Sequence, residues 1–382
     1  AYADAVWWLG RVEDALRLHA AACDALVAES RPADAAGVAF RLGVLHVSRG
    51  DAPQGMGWFS RSRHLLEGVR ACRAHGLLLA LTGVDANLLA GQPAAAMDAA
   101  RQIRDLGRRL NEPDLVAMGL NSEGRALIKS GAVADGLALL DESMVTVLEG
   151  RLDPFMTGVL YCHTIAACHE VGDVLRMSRW TELAERWLTT VPAEVTFGAM
   201  CAVHRAQLQL LRGAWDQAEL GALHVVASLD VNRLDYAAQA WYVVAEVRRL
   251  RGAAGAAEAY GEAHARGYDP QPGRALLRLA DGDAEGALAS VLSALAAAGP
   301  DPLRRAPLCA ALVEIAIAAG HPQNAAAAAS ELAQTASTFA TSGLEAMAST
   351  ARGAVLLAEG NVAEALPVLR DACRRWYELG SA

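Results

Sequence analysis

Apolar residues recur along this chain at three- and four-residue intervals, and nothing alternates with period two. Leu137, Leu140, Met144 and Leu148 lie on one such stripe, and Leu65-Leu66 continue another after Trp58. That spacing predicts amphipathic helices throughout. The helices are punctuated by glycine. A glycine that closes an apolar run and precedes a polar start stands at Gly10, Gly50, Gly91, Gly131, Gly172, Gly213, Gly252, Gly282, Gly320 and Gly360. Successive intervals are 38 to 41 residues, except for 30 between Gly252 and Gly282.

A second register rides on the first. Five residues beyond each glycine come Ala15, Gly55, Ala96, Gly136, Met177, Ala218, Ala257, Ala287, Ala325 and Ala365, small in nine cases of ten. Seven residues before it, small side chains recur at Gly43, Gly124, Ala206, Ala245 and Gly353, while Val84, Ile165 and Val313 are larger. The physical reading is a helical hairpin: helix A, a turn in which glycine takes positive φ, then helix B, with small residues letting the backbones approach. A lone hairpin of this size cannot bury its apolar face, so each unit must stack on its neighbours in an all-α solenoid. Asp153-Pro154 and Asp301-Pro302 place a capping carboxylate before a proline suited to a first turn, which marks the start of new A helices.

Irregularities are expected in two places. Asp269-Pro270-Gln271-Pro272-Gly273 must end one helix early and shorten the next. Pro367 falls inside a helix B, where it should bend it. The domain reading is one continuous solenoid over 1–382, regular over 1–251, irregular over 252–300, and resumed over 301–382.

Composition narrows the function. The 53% hydrophobic content excludes disorder, and 34 basic against 43 acidic side chains, a net charge of −9, make a poor binder of a phosphate backbone. No uninterrupted apolar run reaches membrane-spanning length, and the N-terminus lacks the layout of a signal peptide. With no starting methionine the chain reads as a fragment. Seven scattered cysteines fit buried free thiols in a cytoplasmic protein.

The glycine and alanine positions resemble the tetratricopeptide repeat in an elongated form, so the fold expected is an α-solenoid superhelix of about ten tetratricopeptide-like hairpins. Three segments resemble more narrowly the repeat region of large actinobacterial LuxR-type transcriptional regulators. They are Gly158-Val-Leu-Tyr-Cys-His-Thr-Ile-Ala-Ala-Cys-His-Glu, His204-Arg-Ala-Gln-Leu-Gln-Leu-Leu-Arg-Gly-Ala-Trp, and Arg352-Gly-Ala-Val-Leu-Leu-Ala-Glu-Gly-Asn onward to Trp376-Tyr-Glu-Leu-Gly380. The resemblance implies a regulatory region whose helix-turn-helix DNA-binding domain is expected beyond Ala382.

Catalytic chemistry is not legible. Gly124-Arg-Ala-Leu-Ile-Lys129-Ser130 lacks the glycine a phosphate loop needs before its lysine, and no nucleophile elbow occurs. Cys162, His163, Cys168, His169, Cys201 and His204 concentrate reactive groups, but Cys162 and Cys168 face opposite sides of a helix, so the reading is core thiols and hydrogen-bonded histidines with no metal and no cofactor. In the tetratricopeptide family the concave wall is built from helix A. The matching positions, ten and six before each glycine, give Phe40 and Val44, Leu81 and Asp85, Asn121 and Arg125, Cys162 and Ala166, Val203 and Gln207, Tyr242 and Glu246, then Ala310 and Glu314. Asn121, Arg125, Cys162, His169, Gln207, Tyr242 and Glu246 are the candidate effector-binding residues, polar groups among apolar walls. The opposing reading pairs Arg125 with Glu246, Asp85 or Glu123 in a surface network. Trp180, Trp187, Trp215 and Trp241 cluster around the same units, and the seven-residue spacing of Trp180 and Trp187 is a helical stripe, so their expected role is core packing. The functional expectation is a non-enzymatic sensor that binds a small amphipathic effector and contacts DNA only through a domain outside this chain, with a homodimer among its expected partners. The alternative is a scaffold whose groove takes a peptide or partner helix.

Overall fold

The computed structural model describes residues 2–191, 196–228 and 234–381. All regular structure among them is helical. In chain order the helices are α1 (Tyr2–Trp8), α2 (Val12–Ala28), α3 (Pro32–Val47), α4 (Ala52–Leu65), α5 (Arg73–Leu79), a π-helical segment (Ala80–Asp85), α6 (Ala86–Leu89), α7 (Pro93–Leu110), α8 (Pro113–Lys129), α9 (Val133–Leu148) and α10 (Pro154–Glu170). They continue as α11 (Val174–Leu188), α12 (Thr196–Leu211), α13 (Trp215–Ser228), α14 (Leu234–Arg251), α15 (Ala256–Ala265), α16 (Gly273–Ala280), α17 (Ala284–Ala297), α18 (Pro302–Ala318), α19 (Pro322–Phe339), α20 (Ser342–Ala358) and α21 (Val362–Glu378). Taking α5, the π segment and α6 as one helix A, they form ten hairpins.

The turn glycines explain the hairpins. All ten that the sequence singles out adopt positive φ, from 61° at Gly252 to 92° at Gly131. The turns between hairpins use the same conformation with less help from glycine: Ser30, Asn111 and Ala340 have φ of 58°, 55° and 48°. Asp51, Asp153, Asp283 and Asp301 accept hydrogen bonds from backbone amides in the first turn of α4, α10, α17 and α18, which satisfies donors that have no partner inside the helix.

Within hairpins the small residues do what their spacing predicts. A Cβ added at Gly124 would stand 2.7 Å from Gly136 O, and one at Gly136 would stand 2.6 Å from Gly124 O. Gly55 is equally tight against Gly43 O at 2.9 Å, and Gly353 packs on the Leu369 side chain. Two positions depart from the register. In hairpin 3, Gly83 rather than Val84 makes the close contact, against Ala99, within the π segment that carries an extra residue per turn. In hairpin 7, Ala257 is exposed and Ala256 is buried instead, because Gly255 at φ 86° lengthens the turn and α15 starts later.

Helix α15 has 10 residues and α16 only 8, against 17 in α18. Helix α21 continues through Pro367 from Val362 to Glu378, and α18 likewise contains Pro307.

The chain divides into two compact units, one of Ala1–Thr164, Trp180–Cys201 and Leu229–Leu234, the other of Ile165–Arg179, Ala202–Ser228 and Asp235–Ala382. Consecutive helices pack in both, as a solenoid requires. Each unit also joins hairpins far apart in sequence, which the expectation of neighbour-only contacts omitted. In the first unit Trp7 of α1 lies 5.9 Å from the Phe155 ring and 6.3 Å from Phe197. In the second, Thr341 donates a hydrogen bond to Val171 O and Ser381 donates one to Leu211 O at 3.0 Å.

Candidate functional site

The candidate residues separate into several groups. In the first unit, three successive A helices contribute one side chain each to a polar ladder. Arg125 Nη1 of α8 donates to Asp85 Oδ1 at the end of the π segment, at 2.9 Å, and lies 3.3 Å from His163 Nδ1 of α10. A guanidinium can only donate, so His163 Nδ1 accepts and its proton sits on Nε2. Burial first and the Arg125 charge second hold that imidazole neutral. Arg125 therefore pairs with Asp85, one of the partners considered. Glu123, another, is clamped by Arg101 and Arg104. Beside the ladder, Phe40, Val44 and Leu81 are half-buried against a core cluster that includes Phe59 and Leu78.

Asn121 does not belong to this surface. It is fully buried behind Arg125, where Nδ2 donates to Thr164 Oγ1 at 2.9 Å and Oδ1 has no partner among the described residues. The row six before the glycine is half-buried to exposed, while the row ten before it is half-buried to buried. Cys162, in the same row as Asn121, is corrected likewise. It is a core thiol whose pKa is pushed well up by burial and by nearby Cys201.

An aromatic cluster gathers rings from α1, α10, α11 and α12. Phe197 stands at its centre, with ring centroids 5.6 Å from Phe155, 6.0 Å from Trp187 and 6.3 Å from both Trp7 and Trp8. The Arg41 guanidinium sits 3.7 Å above the Phe155 ring and pairs with Asp4 at 3.2 Å. Of the four tryptophans expected to serve core packing, Trp180 is buried and Trp187 belongs to this cluster, whereas Trp215 and Trp241 lie against Arg251 and Arg266 in the second unit.

Gln207 and His169 form a third group, with His204. Gln207 Oε1 lies 3.1 Å from His204 Nδ1. His169 reaches solvent, yet the surrounding protein and His204 push its pKa down to about 4. Tyr242 and Glu246 meet where α14, α15 and α16 converge. Glu246 accepts from Tyr260 Oη and, at 2.8 Å, from Arg249 Nη2, while the Tyr242 ring packs 5.8 Å from Tyr260 and 5.1 Å from Tyr268. Gly273 fits this node because any side chain there would overlap Glu246 and Tyr260. Glu246 is thus occupied by partners on α14 and α15.

An open groove of about 720 Å³ runs between Pro302 of α18 and Thr338 of α19. Ala327, Ser330, Glu331 and Gln334 of α19 line it. Its charges satisfy one another: Arg305 forms a two-pronged pair with Glu331 and caps Leu295 O at 2.8 Å. Among the described residues, no helix is long and apolar enough to cross a membrane.

No family model matches the sequence, and no curated protein matches it. Among solved structures, the crystal structure of the P58(IPK) TPR domain aligns over 90% of this chain and 96% of that one, at 12% identity and a TM-score of 0.24. The description as a solenoid of helical hairpins rests on the turn geometry and packing given above.

Proposed function

We propose that the chain is a protein-interaction scaffold that holds a peptide or partner helix along the A-helix wall of its first unit. The observation that carries this is the ladder of Asp85, Arg125 and His163, one accessible polar side chain per hairpin, continued by half-buried Phe40, Val44 and Leu81. Packed helices lie roughly 8–10 Å apart. A ligand in register with successive hairpins therefore contacts the wall at about every third residue if extended, at roughly 3.3 Å per residue, or at about every seventh if helical.

Photo-crosslinking with benzoylphenylalanine at Val44 or Asp85 tests the reading against the same probe at Met56, which is exposed on a B helix. Crosslinks to a polypeptide from the A-helix positions alone support it. Crosslinks from Met56 only, or none from any position, overturn it.

The finer reading, a LuxR-type regulatory region in which an effector biases an attached DNA-binding domain, rests on the sequence resemblance. Native mass spectrometry of the purified chain after incubation with cell extract separates the two: a retained small molecule favours the sensor, and a retained polypeptide favours the scaffold.

A further inference from the structure

The outer surface of the second unit changes character at its B helices α17 and α19. Charged residues make up 20% of the chain. Other B helices carry them on their exposed sides, as with Asp98, Arg101 and Arg108 of α7 or Arg370, Arg374 and Glu378 of α21. Helices α17 and α19 have one each, Glu285 and Glu331. Glu331 is held by Arg305, and Glu285 lies 3.3 Å from His321 where the two helices start. The remaining exposed positions, such as Leu292 and Ala296 of α17 and Ala326, Ser330, Ala333 and Gln334 of α19, are all neutral.

This surface is concave as well as neutral. The open groove of about 720 Å³ between Pro302 and Thr338 continues, past Arg305, Ala327 and Glu331, into a smaller hollow of about 300 Å³ lined by Leu292, Leu295 and Leu312. From Asn324 to Thr338 the lining follows α19 for four turns, about 21 Å at roughly 1.5 Å per residue. A helix laid beside α19 fits that length. The charged residues of the lining are Arg305 and Glu331, and they satisfy each other while Arg305 also donates to Leu295 O and Gly299 O. A charged side chain entering the groove would lose water without gaining a partner, so the occupant must present a neutral face.

Every copy of this chain carries such a face in α19 itself. Two copies with a net charge of −9 each repel where their charged surfaces meet. A two-fold axis sets a patch against itself, so each charge on the patch meets its like. The surface of α17 and α19 escapes both penalties, and charge depletion is what marks the core of protein interfaces, with those of homodimers the more apolar. We propose that a second copy occupies the groove: two protomers pair about a two-fold axis, α19 of each lying antiparallel to α19 of its partner and filling its groove, with Ser330 near the axis. The inference depends on these B helices of the second unit and not on the ladder of the first, so either reading can fail alone.

Sedimentation equilibrium of the full chain, from micromolar to submillimolar concentration, tests it. The mass should rise from 40.1 kDa toward twice that value. Ser330→Glu sets two carboxylates against each other across the axis, and Ala326→Glu buries one in the partner's groove. Both positions are exposed in the single chain, so each variant should keep the parent's helix content by circular dichroism while remaining at 40.1 kDa throughout. Val145→Glu, which adds the same charge at an exposed site on α9 of the first unit, should associate as the parent does. A parent that stays at 40.1 kDa at every concentration overturns the proposal and leaves the groove to a different polypeptide. So does a dimer that both Ser330→Glu and Ala326→Glu leave intact, since the copies would then meet elsewhere.

Discussion

A methyl group at Gly136 would press into a backbone oxygen, while one at Gly57, in α4, would meet nothing within 4 Å. The two positions therefore respond oppositely to substitution. Gly136→Val should destabilise by about 2 kcal/mol or more, because neither backbone can move aside. Gly57→Ala should stabilise by up to about 1 kcal/mol from helix propensity alone. Urea titration of both variants checks the pair, and equal effects would show that the close approach is not what glycine provides. Ala340 supplies the complementary case. It holds a left-handed conformation costly for a residue with a Cβ, so Ala340→Gly should raise stability by roughly 0.5–1 kcal/mol in the same titration. The turn glycines were legible because only a repeated steric need puts glycine at one interval. Ser30, Asn111 and Ala340 were not, since the same conformation there is imposed on ordinary residues by the packing of flanking helices.

At the level of elements, α10 and α12 carry histidines folded in their neutral form. Burial lowers the pKa of His204, and with the Arg125 charge it takes that of half-buried His163 from 6.5 to about 4. Unfolded imidazoles take up protons near 6.5, whereas the folded His163 refuses its proton until near 4, so in that window the unfolded chain binds more protons. Stability should be complete above about pH 6.5 and fall as pH is lowered toward 4. Thermal melts between pH 7.5 and 4.5 read this directly, and His204→Gln should flatten the slope. A flat profile in the parent would mean that these helices pack more loosely than described. The stripe spacing identified both helices and the accessible row that includes Arg125, but not the partners. Helical periodicity fixes which side of a helix a residue takes, and whether Arg125 meets Asp85 or Glu246 depends on how successive hairpins are stacked. For the same reason Asn121 looked accessible: it shares a stripe with Arg125, and only the covering by α10 separates them.

For the molecule as a whole, contacts between distant hairpins are what the sequence conceals, because no local pattern marks Trp7 as a partner of Phe155 and Phe197. Trp7 is 3% exposed, and Trp7→Ala should cost about 3–5 kcal/mol. That cost should be confined to the first unit. Hydrogen exchange should rise in α1, α2 and the first turns of α10, and stay at the parent level in α18 and α19. Increased exchange throughout would instead mean that the two units unfold as one. The paired hydroxyl bonds of the second unit carry a different consequence. An ordinary solenoid tolerates insertion or loss of whole repeats, since each touches only its neighbours. Here, deleting one hairpin between Val171 and Thr341 would bring the wrong residue opposite that carbonyl and move Gly343 away from Gly172. The tally of hairpins in that stretch is therefore constrained by the way the chain meets itself, and evolutionary drift in length should be tolerated only outside it.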